Sequence, residues 1–142
     1  MAATVNRTAS LTLHPLHAVL LASTLPLFLG ALLTDIAYAK TYHVQWTNFA
    51  SWLVLAGVML AGLVLVVAIV GLLRSHRRDA RSIAYVALVF ALFVLGLINS
   101  LVHAKDAWAA MPGGLVLSAV TLLLAVAATW LGFAHRHTGD VA

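Results

Sequence analysis

A chain of 142 residues that is 63% hydrophobic and 8% charged, with a net charge of +4, lacks the polar residues to clothe a water-facing surface. Soluble domains give about 25% of their residues to charge. The absence of cysteine removes disulfides, thiolate metal sites and haem attached through cysteine. The arginines gather in one short loop, so the positive charge reads as a membrane-orientation signal and not as a nucleic-acid surface.

A helix needs about 20 mostly apolar residues to cross a bilayer, and only helices or closed barrels satisfy their backbone there. Four stretches meet that requirement, at 16–38, 49–73, 83–102 and 115–134, with short tails at 1–12 and 136–142. The expected fold is therefore all-α: a single membrane domain over 1–142, built as a bundle of four transmembrane helices with short loops.

The first span opens on "LTLHPLHAVL". His14 and His17 lie three apart and share one face of a first turn, and Pro15 suits a first helical position because its missing N–H has no partner there anyway. Pro26 is expected to kink the helix, and Asp35 lies near its far end. "AYAK" at 37–40 has the small-x-small form of a signal-peptidase site, but the preceding apolar run exceeds the roughly 7–15 residues of a cleaved leader. The span is expected to be retained. In the second span Gly57, Gly62 and Gly71, and in the fourth the spacing of Ala128 and Gly132, are expected to permit close helix contact.

The loop "RSHRRDAR" at 74–81 carries four arginines against one aspartate, which places it in the cytoplasm. Four spans then put both termini on the same side, where Arg7 and Arg136 agree, and leave Lys40 and Lys105 outside. Trp46, Trp52, Trp108, Tyr38 and Tyr42 would form the outer aromatic belt, with Tyr85 and Trp130 at the inner one.

This topology brings His14, His17, His76, His135 and His137 to one membrane face. A b-type haem clamped between the first and fourth helices would take His17 and His135 as its axial pair, with His14 nearer water. The plainer alternative makes His14 and His17 interfacial residues bonded to helix ends. At the other face Asp35 needs a partner, because an ionisable group within a span is costly and turns to protein or a cavity. Asn99 and His103, with Thr34 and Ser100, form the best polar pocket; Lys40 is a further candidate partner for Asp35. That carboxylate is either a structural anchor or a proton- or quinone-contacting group. No span carries a charge in its middle third, no metal-ligating cluster stands out, and no catalytic set or phosphate loop is present, which argues against an autonomous enzyme, channel or transporter.

The stretch "HPLHAVLLASTLPLFLGALLTDIAY" at 14–38 resembles the start of the bacterial integral-membrane family catalogued as domain of unknown function 2231, and "VQWTNFASW" at 44–52 is similar to a signature of one of its subgroups. The likeness runs from about Leu13 to His135. It implies about four spans and the bacterial inner membrane, and it matches His14, Pro15, His17 and Asp35 to the family pattern. Family members stand beside, or fused to, periplasmic redox domains, quinoprotein sugar dehydrogenases among them. Two expectations result. One is a non-catalytic membrane subunit or anchor. The other is a haem b- or quinone-binding electron-transfer subunit for a periplasmic dehydrogenase.

Overall fold

The computed structural model describes residues 14–75 and 79–134. Within them the chain forms α1 (Pro15–Thr41), α2 (Val44–Arg74), α3 (Ala80–His103), a one-turn α4 (Ala107–Ala110) and α5 (Gly113–Ala134). α1, α2, α3 and α5 are long and apolar enough to cross a membrane. α1 packs on α2 and α5, and α3 packs on the same two. The four long helices thus make a square bundle in which α1 stands diagonally opposite α3.

Apart from the end of α5, the helices begin and end beyond the apolar runs. α1 continues to Thr41 and α2 already starts at Val44, so the segment "VQWTNF" lies on a helix instead of in an outer loop. No glycine or proline interrupts the chain there, and a helix goes on satisfying its backbone until something stops it. The stop is Tyr42, a left-handed residue (φ 56°) whose N–H donates to the Tyr38 carbonyl at 2.8 Å. α1 also runs unbroken through Pro26. At its start, the His14 ring accepts from Leu16 N–H at 3.3 Å, with Pro15 in the first position.

The buried faces of α1, α3 and α5 follow alternating steps of three and four residues. On α1 it is His17, Leu21, Thr24, Phe28, Ala31, Asp35 and Tyr38. On α5 it is Gly114, Ser118, Thr121, Ala125, Ala128 and Gly132, all small. This seven-residue repeat is the seam of left-handed bundles crossing at about 20°, and small residues let two backbones approach where lipid supplies no hydrophobic drive. α3 and α5 hold one antiparallel register along their length: His103 lies over Gly114, Asn99 bonds Ser118, Leu92 shares a cluster with Ala125, and Tyr85 lies over Gly132.

Phe28 is the centre of the bundle. It is fully buried, and its ring sits in a slot made by Gly57 of α2 and Gly96 of α3. A Cβ at Gly57 would stand 2.9 Å from that ring, whereas a Cβ at Gly71 would meet nothing within 4 Å. Gly57 and Gly62 therefore serve close packing as expected; Gly71 does not. Gly57→Leu should lower the melting temperature in detergent by the equivalent of about 1–3 kcal/mol of overpacking, while Gly71→Leu should not lower it. Thermal melts of both variants in one detergent check this; equal losses would contradict the slot.

Candidate functional site

Two polar ties cross the diagonal of the bundle, one near each end. Both join α1 to α3, and in both the partners lie 68 residues apart in sequence. The ties are separated by about five turns on each helix, roughly 27 Å at 1.5 Å per residue, close to the thickness of a hydrocarbon core.

The first tie is built on Asp35, which is fully buried. His103 Nε2 lies 2.9 Å from its Oδ1, and Ser118 Oγ donates to its Oδ2 at 2.6 Å. Ser118 in turn accepts from Asn99 Nδ2 at 3.0 Å, and His103 Nδ1 donates to the Asn99 carbonyl at 3.0 Å. A carbonyl oxygen can only accept, so Nδ1 carries a proton. One further proton is then shared between Nε2 and the carboxyl group, and the pair is neutral as a whole whichever partner holds it. The circuit starts and ends on Asn99: side-chain amide, Ser118, Asp35, His103, main-chain carbonyl. Helical spacing makes it, since Asn99 and His103 are one turn apart on α3 and Gly114 and Ser118 one turn apart on α5. Gly114 is part of the construction, because a Cβ there would stand 2.9 Å from the imidazole. Asn99 Oδ1 is buried and has no partner among the described residues.

The second tie is His17 to Tyr85, Nε2 to hydroxyl at 2.8 Å, with the rings edge to face. His17 is 3% exposed, and its Nδ1 has no partner among the described residues. Beside it opens a pocket of about 240 Å³ to which all four spanning helices contribute. Gly71, having no side chain, leaves space here; Val67, Leu72, Val86 and Leu131 give the pocket apolar walls; His14 and Arg81 stand at its exposed mouth.

Asp35, Asn99 and His103, read from the sequence as one pocket, are thus brought together. Thr34 is not part of it, since its hydroxyl turns back to the carbonyls of Gly30 and Ala31, and Lys40 is exposed. Ser118 and Gly114 are the members that sequence reasoning passed over. Their one-turn spacing, matching that of Asn99 and His103 on the facing helix, was the available signal. His17 points across the bundle to Tyr85 on α3 and not towards Trp130, which is 78% exposed. Tyr85, expected in the aromatic belt, is instead the partner of a buried histidine. His76, His135 and His137 lie outside the described residues. Within those residues no group of three or more histidines and carboxylates is placed to hold a metal.

The sequence matches the family described as predicted membrane protein (DUF2231) over residues 13–141, and the chain belongs to that family. No curated protein and no solved structure matches it. The ties make a quantitative prediction. Asp35→Ala and His103→Ala should each destabilise the protein by about 3–5 kcal/mol, because each strands a buried partner. The double variant should cost less than the sum by about 0.5–3 kcal/mol. A double-variant cycle on detergent melts, with Asp140→Ala in the tail as control, measures it; simple additivity would contradict the circuit.

Proposed function

We propose that this protein is a non-catalytic membrane subunit, a stiff four-helix anchor at the bacterial inner membrane with both termini in the cytoplasm. The observation that carries the reading is the closed circuit around Asp35. Both carboxylate oxygens and both His103 nitrogens are already bonded within the bundle, so the strongest polar cluster presents no acid, base or nucleophile to a substrate. Midway between the ties the bundle is filled by Phe28, Leu92, Ala61 and Ala125, and the buried hydroxyls of Thr24 and Thr121 turn back to their own helices, so the described residues offer no polar path across the membrane. Such an interior suits a part that holds a position for something else.

A second reading, an electron-transfer subunit carrying haem b or a quinone for a periplasmic dehydrogenase, draws on one observation: the buried Nδ1 of His17, which has no partner among the described residues. For haem the fit is poor. His17 Nε2 is engaged by Tyr85, and about 240 Å³ falls below the roughly 300–1,000 Å³ of ordinary ligand clefts.

Protein expressed with added haem precursor should be colourless in a reduced-minus-oxidised spectrum. A b-type band lost in both His17→Ala and His135→Ala would overturn the anchor reading in favour of the second. Reporter fusions should give a cytoplasmic signal at Arg78 and at the C-terminus and a periplasmic one at Lys40 and Lys105. The opposite pattern would invert the topology.

A further inference from the structure

The pocket beside His17 has a chemistry that the anchor reading does not use. Its donors stand at two depths. At the mouth are Arg81, whose guanidinium is always charged, and His14. The His14 Nδ1 accepts from Leu16 N–H, so in the neutral ring the proton sits on Nε2 and is available to an acceptor. About one turn deeper, His17 and Tyr85 are bonded to each other, and the buried His17 Nδ1 has no partner among the described residues. When the Tyr85 hydroxyl donates to Nε2, Nδ1 carries the proton and becomes a second, buried donor. Below and beside this level the walls are apolar. Asp79 is the negative charge of this corner among the described residues; it stands at the N-cap position of α3 and accepts from the Ser82 hydroxyl. Arg74 and Arg81 outweigh it.

An occupant matched to this layout carries a negative group at the mouth, an uncharged acceptor about a turn deeper, and then an apolar body. A diacyl phosphoglyceride has that order: phosphate, ester carbonyls, acyl chain. Inorganic phosphate lacks the apolar body, and a quinone lacks the charge. We propose that this pocket binds one anionic phospholipid, with its phosphate at Arg81 and His14, an ester carbonyl towards His17, and the upper part of one chain between Val67, Val86 and Leu131. Basic pockets between helices near a membrane face are suited to acidic lipid headgroups. The pocket holds only the phosphate, an ester and the first part of one chain, and the rest of the lipid lies in the bilayer.

Gly71 supplies a clean test, because a side chain there enters open space. The purified protein, in a neutral detergent, is titrated with dioleoyl phosphatidylglycerol, dioleoyl phosphatidylcholine, glycerol phosphate or a short-chain ubiquinone, with thermal melting and native mass spectrometry as readouts. Phosphatidylglycerol should raise the melting temperature saturably, with one lipid retained per protein, and the other three should not. Arg81→Gln should weaken the effect about tenfold, the loss of one charge-assisted hydrogen bond. Gly71→Leu should abolish it while melting no lower than the parent when lipid is absent. Equal shifts from phosphatidylcholine, a response to glycerol phosphate or quinone that equals or exceeds that to phosphatidylglycerol, or an effect that survives in Gly71→Leu would each overturn the proposal. The last outcome would reduce the binding to the basic surface alone. None of these outcomes depends on whether the protein is an anchor.

Discussion

A carboxylate in hydrocarbon has to be matched by groups already in place, and the arrangement of this bundle follows from meeting that need for Asp35. Water is not at hand to solvate it, so its two oxygens take a histidine and a serine from two other helices. Those partners lie on α3 and α5, which fixes the rotation and the height of both helices relative to α1. Gly114 then has to be small for the imidazole to lie flat against α5, and Asn99 has to close the circuit from both its side chain and its main chain. Charge in this site is a constraint on assembly before it is anything else.

The second tie repeats the geometry with milder chemistry. A histidine and a tyrosine, each able to be donor or acceptor, make the same diagonal from α1 to α3 at the opposite end. Two parallel helices tied at both ends cannot slide or turn against one another without breaking a buried hydrogen bond. Between the ties the apolar core, with Phe28 in its two-glycine slot, only has to fill space. α2 differs. No hydrogen bond among the described residues joins one of its side chains to another helix. It is held by packing, Gly57 on Phe28 and Gly62 on Phe93, and it forms one wall of the pocket.

The spans were legible in the sequence because hydropathy alone selects them, and their ends were off by a few residues because helices outlast the hydrocarbon. The faces were not legible in the same way. In a bilayer the outward side of a helix is as apolar as the inward side: Val116, Leu123 and Trp130 face out while Ser118, Thr121 and Ala128 face in. Apolar character therefore marks no side, and the informative signals are the few polar groups that turn inward and size, a stripe of small residues at steps of three and four. Asp35, Asn99 and His103 could be grouped because ionisable and amide groups in a span need partners. Ser118 is one hydroxyl in an apolar span, and Tyr85 reads as an interface aromatic; each becomes telling only once the helix opposite is known.

The distance in sequence between Asp35 and its partners has a consequence for biosynthesis. His103 follows 68 residues after Asp35, and Ser118 follows after 83. At about 5–20 residues per second of translation, the carboxylate exists for roughly 4–17 seconds before both partners have been made. During that interval α1 is in the translocon or the bilayer with an unmatched acid. Asp35 lies near the end of its helix, so before the other helices close over it headgroups and water are within reach, and the nascent chain can wait there. The circuit can close only after the last span has entered, which makes it a record that all four helices have arrived.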